Sequence, residues 1–325
     1  MTVQKKWISL IVLGLTSFAY GKTLYRHNGD SVTLESLNPS LQQAYYEAEK
    51  AHYDALSEIA ERDAYDRYLK DLSKKKNKTV EQVETELFAA SASDADAKAW
   101  FDENKHRLGG RDFDKIKGEI KTFLSYRLKE DGRHKIIEDL KEKKQFSMAL
   151  TAPQRPTFKI TTDGFPSRGP ANAKVKIVEF ADYQCPHCQR AAEAVKDTLK
   201  KFPKNVSMTF LDYPINHSGI SRLVAEGAAC AQPQGKFWEY HEEAFDSQKT
   251  LSKDSPLEIA KKVSLDEKKW QQCMDSGEGR KVVEAGEKEA ERLGISGTPT
   301  IYINGIKIAG YDPKVLEEEI SKALK

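Results

Sequence analysis

The sequence lacks a strong excess of charge of either sign. It has 52 lysines and arginines against 50 aspartates and glutamates in 325 residues, which gives a formal net charge of +2. Such a balanced charge does not support a nucleic-acid partner. Long apolar runs are also missing after residue 21, so no later segment reaches the roughly 20 apolar residues of a membrane span. We expect this part of the chain to be soluble.

Cysteine is scarce, and residues 22–150 contain none. Cys185 and Cys188 form a single C-x-x-C, while Cys230 and Cys273 stand far apart. A zinc site needs two more ligands at comparable spacing, and the sequence has neither a second C-x-x-C nor an H-x-x-x-H pair. Zinc is therefore the alternative and dithiol redox chemistry the main prediction. An even number of cysteines suits an oxidising compartment.

Residues 1–21 have the pattern of a secretory signal peptide. Lys5 and Lys6 precede an apolar run over residues 7–18, and Ala-Tyr-Gly at residues 19–21 offers small residues for cleavage. An uncleaved membrane anchor is the alternative. No cysteine lies near this site, so we do not expect a lipoprotein. The pattern predicts an exported, periplasmic protein.

Residues 22–150 carry the pattern of an all-α domain. Apolar and aromatic residues recur at steps of three and four from Pro39 to about residue 74, which predicts a long helix. Thr79 and Ser93 begin two further helices, the first with a capping-box pattern. A last amphipathic helix is predicted over residues 113–146. Residues 151–170 contain several prolines and predict a linker, with a first strand of the next domain at residues 157–160.

The most informative stretch follows a short apolar run at residues 175–180, which predicts a buried strand. The C-x-x-C comes directly after it, and a helical pattern begins at the same point. Cys185 then lies where free backbone N–H groups and the helix dipole favour a thiolate. Pro186 suits the first turn of a helix, and His187 adds a positive or hydrogen-bonding neighbour. We therefore expect Cys185 to be the exposed nucleophile and Cys188 the more buried resolving thiol.

Three motifs resemble the DsbA-like family of thioredoxin-fold thiol–disulfide oxidoreductases. They are Cys-Pro-His-Cys at residues 185–188, the segment from Cys230 to His241 containing Gln-Gly-Lys-Phe-Trp-Glu-Tyr-His, and Gly-Ile-Ser-Gly-Thr-Pro-Thr at residues 294–300. The resemblance covers residues 157–325. It implies an α/β thioredoxin fold over residues 171–325 with a helical insertion at about residues 215–292. It also implies an enzyme whose only redox group is the Cys185–Cys188 dithiol, with no added cofactor and no metal.

The same resemblance implies roles for residues outside the C-x-x-C. Thr298 and Pro299 would form a cis peptide bond that faces the dithiol and binds substrate; an ordinary turn proline is the alternative. Glu179 would be a buried acid that moves the proton of Cys188, unless it is a partly exposed carboxylate at a strand end. Cys230 and Cys273 are predicted to form a structural disulfide inside the insertion, with two buried free thiols as the alternative.

The helical half is similar to the N-terminal chaperone domain of SurA-type periplasmic foldases, through residues 93–105 and the last long helix. Three functions follow as hypotheses. The first is disulfide donation to unfolded exported proteins, with reoxidation by a membrane partner of the DsbB or VKOR type. The second is an isomerase or reductase, served by a DsbD-type partner and favoured by Thr298 and by homo-oligomerisation through the N-terminal domain. The third is a chaperone that holds clients through its helices.

Overall fold

A computed structural model describes residues 23–89 and 91–325 of the chain. The predicted signal peptide, residues 1–21, lies outside the described residues. The structure divides into two compact units, one made of residues 23–46 with Gln154–Lys325 and the other of Glu47–Pro153. Within residues 23–89 and 91–325, no helix is both long and apolar enough to cross a bilayer. Whether residues 22–150 act as a SurA-like or oligomerisation domain stays a prediction.

A short β-hairpin precedes the helices, in a region where the sequence pattern predicts only helices. Strand β1 (Thr23–His27) pairs antiparallel with β2 (Asp30–Thr33). The turn between them has Asn28 at φ 49° and Gly29 at φ 92°, the left-handed conformations that an Asn-Gly hairpin turn requires. The helical prediction for this region therefore holds only after residue 33.

The predicted helices of the N-terminal half are present. They are α1 (Pro39–Lys76), α2 (Val80–Leu87), α3 (Asp94–Asn104) and α4 (Phe113–Glu142). Thr79 and Ser93 cap α2 and α3, and each forms a capping box. One apolar cluster joins α1, α2 and α4 around Tyr65 and Leu69, and a second joins α3 to α4 around Phe101. The apolar faces of these helices are therefore buried against one another, as their amphipathic pattern predicts.

The C-terminal unit is built on a five-stranded sheet in the order β3-β5-β4-β6-β7. The strands are β3 (Ser167–Arg168), β4 (Val175–Ala181), β5 (Val206–Asp212), β6 (Thr300–Ile303) and β7 (Ile306–Lys307). Helix α5 (Pro186–Lys201) follows β4, and α11 (Pro313–Leu324) ends the chain. Between β5 and β6 lie α6 (Ile220–Ala231), α7 (Phe237–Asp246), α8 (Ser255–Lys262), α9 (Glu267–Ser276) and α10 (Glu278–Arg292). The predicted helical insertion is therefore present.

Strand β4 is the centre of this sheet. It pairs parallel with β5 and antiparallel with β6, and all its residues except Lys176 are buried. Apolar clusters cover both faces: one includes α5 and the insertion, and the other includes Phe180, Leu293 and Tyr302. Because β4 is fixed on every side, the residues that follow its last residue start from a rigid position.

The predicted strand at residues 157–160 is wrong. This segment has no strand conformation in the structure, although the backbone N–H of Phe158 donates to the carbonyl of Gly305 at 2.9 Å. The Phe158 ring instead packs edge-on against Tyr302. The first strand of the sheet is β3, which pairs with β5 at the edge. The apolar side chain of Phe158 is buried by packing on the sheet, and such burial does not require the residue to be part of a strand.

Candidate active site

Cys185 lies at the junction between β4 and α5. It is the N-cap residue of α5, with φ −82° and ψ 116°, and Pro186 occupies the first helical position. The backbone N–H of Cys185 donates to the carbonyl of Asp182 at 3.0 Å, which closes the connecting turn. The sulfur is therefore placed beside N–H groups of the first helical turn that have no partner within the helix.

This position makes Cys185 acidic. Its pKa falls to about 5, chiefly because the Cys188 thiol donates a hydrogen bond to it. Partial burial opposes this effect, whereas the backbone N–H groups of Cys188 and His187 reinforce it. Hydrogen bonds to an anion stabilise the charged form. At neutral pH the reduced protein consequently holds Cys185 as a thiolate, the nucleophilic form of the group.

Cys188 has the opposite environment. It is completely buried on the inner face of α5, and burial raises its pKa, as does its hydrogen bond to Cys185. A backbone hydrogen bond from Asp182 partly offsets the increase. Both cysteines are free thiols in this structure. The pair therefore combines an ionised, partly exposed sulfur with a neutral, hidden one.

The loop before β6 faces this pair. The Thr298–Pro299 peptide bond is cis, and the Cys185 sulfur lies 3.3 Å from the Thr298 carbonyl oxygen. The Thr298 hydroxyl is buried and forms no hydrogen bond among the described residues. The Thr298 side chain nevertheless lowers the pKa of Cys185, by less than the Cys188 thiol does. Thr298 thus contacts the Cys185 sulfur through its backbone and influences its ionisation through its side chain.

Glu179 lies on β4 and has no solvent exposure. Within the described part of the chain, neither of its carboxyl oxygens has a hydrogen-bond partner. Burial raises its pKa to about 8, and the positive charge of Arg168 opposes the increase only in part. Glu179 is therefore protonated at neutral pH and can release or accept a proton near that pH.

Two polar residues hold the turn that carries Cys185, and the sequence analysis gave neither of them this role. The carboxylate of Asp182 accepts hydrogen bonds from the N–H of Gln184 at 2.7 Å, the N–H of Asn216 at 2.9 Å and the Ser221 hydroxyl at 2.5 Å.

Gln248, from the insertion, donates to the carbonyls of Tyr183 at 2.8 Å and Cys185 at 2.9 Å. The insertion therefore fixes the turn that carries Cys185 as well as covering one face of the sheet. Nothing in the local sequence around Gln248 indicates a contact 63 residues away.

His187 is exposed at the start of α5. Its Nδ1 atom lies 2.7 Å from the Tyr311 hydroxyl and 2.9 Å from Nη2 of Arg190. Arg190 belongs to the next turn of α5, whereas Tyr311 precedes α11 and is 124 residues away from His187. The sequence predicted a role for His187 but not for these two partners.

His241 was assigned no chemistry from the sequence, and it lies inside the insertion. It is buried among aromatic rings, and its Nδ1 atom is 3.1 Å from the Tyr183 hydroxyl. Burial lowers its pKa to about 3, helped by the charges of Arg168 and Lys196. It is therefore a neutral packing residue at physiological pH.

The other two cysteines form a disulfide between Cys230 on α6 and Cys273 on α9, across 43 residues. This bond lies within the insertion, and it leaves Cys185 and Cys188 as the free thiols of the described residues. Among residues 23–89 and 91–325, no group of three or more His, Cys, Asp and Glu side chains is arranged to hold a metal ion.

Comparison with known proteins agrees with this geometry. A family model described as Thioredoxin matches residues 161–325, about half of the chain. The chain belongs to the thioredoxin family. The predicted fold class, a DsbA-like thioredoxin fold with a helical insertion after a helical N-terminal region, is confirmed.

Relatives of this thioredoxin-family protein differ in overall length. The chain is 28% identical over 203 residues to "Probable disulfide bond formation protein D" of Bacillus anthracis. The match covers 59% of this chain and 88% of that protein. The chain is 30% identical over 163 residues to "Na(+)/H(+) antiporter NhaA 3" of Salinispora tropica, covering 48% of this chain. The chain spans about a quarter of that antiporter's length, 24%.

A crystal structure of oxidised BdbD from Bacillus subtilis superposes with a TM-score of 0.48 at 25% identity. The superposition covers 52% of this chain and 98% of BdbD.

Proposed function

We propose that this protein is an exported thiol–disulfide oxidoreductase that donates the Cys185–Cys188 disulfide to proteins folding in the periplasm. The observation that carries the proposal is the opposite ionisation of the two sulfurs. The pKa of Cys185 is lowered to about 5, whereas that of Cys188 is raised. A dithiol whose reduced form contains a stabilised thiolate is a strong oxidant when it is in the disulfide form. The predicted export segment, residues 1–21, supports the location.

The reaction moves two electrons from the substrate to the enzyme. In the oxidised enzyme a substrate thiolate attacks the partly exposed sulfur of Cys185, which forms a mixed disulfide and breaks the Cys185–Cys188 bond. Cys188 leaves as a thiolate and takes up a proton. A second substrate thiolate then attacks the substrate sulfur of the mixed disulfide. Cys185 leaves as a thiolate, the substrate gains a disulfide, and the enzyme is reduced.

Glu179 is the proposed source of the proton that Cys188 takes up. It is buried on the strand that leads to the active-site turn, and it still holds its proton at neutral pH because burial raises its pKa to about 8. Its oxygens have no hydrogen-bond partner among the described residues, so the proton is not committed to another group. Reoxidation of the dithiol is assigned to a membrane partner of the DsbB or VKOR type.

The deciding experiment measures the equilibrium of the Cys185–Cys188 pair with glutathione and the oxidation of a reduced, unfolded substrate protein. We expect a disulfide that is readily reduced by glutathione and a rapid transfer of oxidising equivalents to the substrate. A pair that stays oxidised at glutathione ratios that reduce strong oxidants would contradict disulfide donation. The name of the Bacillus anthracis relative, a probable disulfide bond formation protein, supports the donating direction.

Isomerisation or reduction is the competing activity, and Thr298 is the residue that favours it. Threonine before the cis proline is shared by isomerase-type relatives of the family, and also by oxidising members, and here its carbonyl oxygen lies 3.3 Å from the Cys185 sulfur. Such an enzyme would be kept reduced by a DsbD-type partner. Refolding of a substrate with scrambled disulfides, combined with sedimentation of the intact protein, separates this activity from donation and tests homo-oligomerisation.

Client holding by the helical unit is a second candidate function. Ile59, Tyr126 and Phe123 are exposed to 65%, 63% and 44% in the structure, and large apolar side chains on a surface are suited to binding unfolded chains. The test uses the full-length Cys185→Ser variant, which cannot exchange disulfides. We expect it to suppress aggregation of an unfolded client, and we expect Tyr126→Ser in the same background to weaken that effect. Equal aggregation with and without the protein would reject this function.

A further inference from the structure

A three-residue cluster on the solvent side of the dithiol is left unused by the mechanism above. It consists of His187 and Arg190 on α5 and Tyr311 in the segment that precedes α11. Arg190 donates to the Tyr311 hydroxyl through Nε at 3.3 Å and through Nη2 at 3.2 Å. Both side chains also meet Nδ1 of His187, as described above. Tyr311 and Cys185 both pack against the apolar cluster that includes α5, and His187 is separated from Cys185 by one residue at the start of that helix.

The contact with Arg190 indicates which nitrogen of His187 carries the proton. A guanidinium has five N–H donors and no acceptor, so Nη2 of Arg190 can approach Nδ1 at 2.9 Å only if Nδ1 presents a lone pair. The Tyr311 oxygen accepts from Arg190. At 2.7 Å from Nδ1, the phenolic hydrogen can only share the lone pair that Nη2 of Arg190 approaches, so neither contact places a proton on Nδ1. The remaining ring proton of a neutral imidazole must then be on Nε2.

We propose that Arg190 and Tyr311 are positioning residues that hold His187 as the Nε2–H tautomer. The Nε2–H group is then the one hydrogen-bond donor of the imidazole, and it acts on the sulfurs that exchange at Cys185. The inference deepens the proposed function and rests on it for its catalytic meaning. The role of the two residues is indirect: they act through the ring of His187, which is adjacent in sequence to the first-turn amides around Cys185.

The physical benefit is that the imidazole is ordered before the substrate arrives. His187 is exposed, and a free exposed histidine would exchange between tautomers and ring orientations. The hydrogen bond from Arg190 and the close contact with Tyr311 remove that freedom, as partners of a functional histidine commonly do. The N–H of Nε2 is then a pre-positioned donor for negative charge on a sulfur.

The first test is nitrogen NMR of the reduced protein labelled at histidine, which distinguishes a protonated ring nitrogen from one with a lone pair. We expect the His187 resonances of the Nε2–H tautomer in the wild type and a mixture of tautomers in Arg190→Met and Tyr311→Phe. The Nδ1–H tautomer in the wild type, or identical spectra in the variants, would overturn the assignment. This measurement needs no substrate, so it stands even if disulfide donation fails.

The second test measures the rate at which a reduced peptide attacks the oxidised enzyme. We expect Arg190→Met and Tyr311→Phe to slow this step by about threefold to tenfold, the rate equivalent of one hydrogen bond. Arg190→Lys should recover only part of the rate, because an ammonium cannot reproduce the fork of donors. Lys200→Met is the matched control: Lys200 is on the same helix and pairs with Asp197, so its loss should leave the rate unchanged.

A double-mutant cycle separates positioning from simple structural damage. In a His187→Ala background, Arg190→Met should have no further effect on the rate, because its only route to the sulfur is through the missing ring. A loss of the same size in both backgrounds would show that Arg190 acts independently of His187 and would overturn the proposal. A fully inactive wild type with the expected tautomer would instead point to failure of the proposed function.

Discussion

At the scale of single residues, the reactivity of the dithiol depends on which groups hydrogen-bond to one sulfur. The Cys188 thiol is the largest contributor to the low pKa of Cys185, ahead of the backbone N–H groups and Thr298. The helix start that the sequence revealed is therefore only part of the cause. The other part is the buried neighbour, which keeps its proton because burial raises its own pKa.

Replacing that neighbour should make Cys185 less acidic. We expect Cys188→Ala to raise the pKa of Cys185 from about 5 by about one to two units, the equivalent of one hydrogen bond to a charged group. The pKa of Cys185 is measured from the rate of alkylation by iodoacetamide as a function of pH. Cys230 and Cys273 do not react in this assay, because they are held in a disulfide. Cys188→Ser keeps a donor and should give a smaller increase. An unchanged profile in Cys188→Ala would leave the backbone amides as the main cause.

Glu179 should make the protein less stable as the pH rises. Its folded pKa of about 8 lies above the unfolded value of roughly 4.3, so between these values the folded state keeps a proton that the unfolded state loses. The free energy of unfolding then falls by about 1.4 kcal/mol per pH unit from this group alone. Glu179→Gln removes the effect, so its stability relative to the wild type should increase across this window in urea titrations.

A variant of opposite sign serves as the control for Glu179. Burial would raise the pKa of Glu289, but hydrogen bonds from Arg292 and the N–H of Thr161 lower it. The stabilisation from Glu289 is present above the unfolded pKa and is lost as the pH falls. Glu289→Gln should therefore be destabilised near neutral pH, and its deficit should shrink in acid. Equal pH trends in the two variants would be incompatible with a protonated Glu179.

At the scale of elements, close approach of α10 to the sheet depends on a residue without a side chain. A Cβ atom on Gly286 would lie 2.7 Å from the carbonyl oxygen of Asp212 on β5. Neighbouring turns of α10 can therefore pack directly on the end of that strand. The contact joins the last helix of the insertion to the sheet, next to the strand that carries the active-site turn.

An alanine at this position should destabilise the fold despite its better helix propensity. Alanine is favoured over glycine in a helix by up to about 1 kcal/mol, but the backbone carbonyl of Asp212 cannot move aside, and such overpacking costs about 1–3 kcal/mol. We expect a net loss for Gly286→Ala in denaturant unfolding. Gly118→Ala in α4 is the control, since nothing lies within 4 Å of its added Cβ, and it should be stabilising. A gain in both variants would mean that α10 does not pack this closely.

Most of the helices and strands can be predicted from the local sequence pattern. The strand–turn–helix around Cys185 was predicted because an apolar run, two cysteines and a proline occur within a few residues. The Asn-Gly dipeptide between β6 and β7 is a strong local signal for a hairpin turn, and Asn304 and Gly305 both have positive φ there. The same dipeptide at Asn28 and Gly29 forms the turn between β1 and β2, within a region whose overall pattern predicts helices.

Contacts between distant segments cannot be predicted from the sequence. Tyr311 meets His187 across 124 residues and Gln248 meets Cys185 across 63. No spacing rule links such residues, because the sheet and the insertion bring them together only after folding. The false strand at residues 157–160 has the same origin: Phe158 is buried by tertiary packing, and its segment bonds to the turn at Gly305 without joining a strand.

At the scale of the whole molecule, the redox state of the dithiol and the free energy of unfolding are thermodynamically linked. A thiolate that the folded protein stabilises also stabilises the folded protein, but only in the reduced form, since a disulfide has no thiol to ionise. The tendency of the oxidised enzyme to accept electrons can thus be measured as the difference in unfolding free energy between the reduced and the oxidised protein. It requires no substrate and no partner.

We therefore expect the reduced protein to gain stability over the oxidised protein as the pH rises from about 5 to roughly 8.5. The pKa of Cys185 is about 5 in the folded state and roughly 8.5 when unfolded, so the unfolded chain holds the extra proton between these values and the stabilisation is lost as the pH falls. Above that window Cys188 acts in the opposite direction, because burial raises its folded pKa. Unfolding in urea of both redox forms across this range measures the difference.

The Cys185→Ser variant isolates the contribution of the thiolate in this measurement. It keeps Cys188 and the Cys230–Cys273 disulfide but has no acidic thiol at the start of α5. Its stability should therefore lack the gain over the oxidised wild type that the reduced wild type shows between pH 5 and 8.5. If the two reduced proteins followed parallel curves, the low pKa of Cys185 would not be a property of the folded state. The driving force proposed here for disulfide donation would then have no source in this fold.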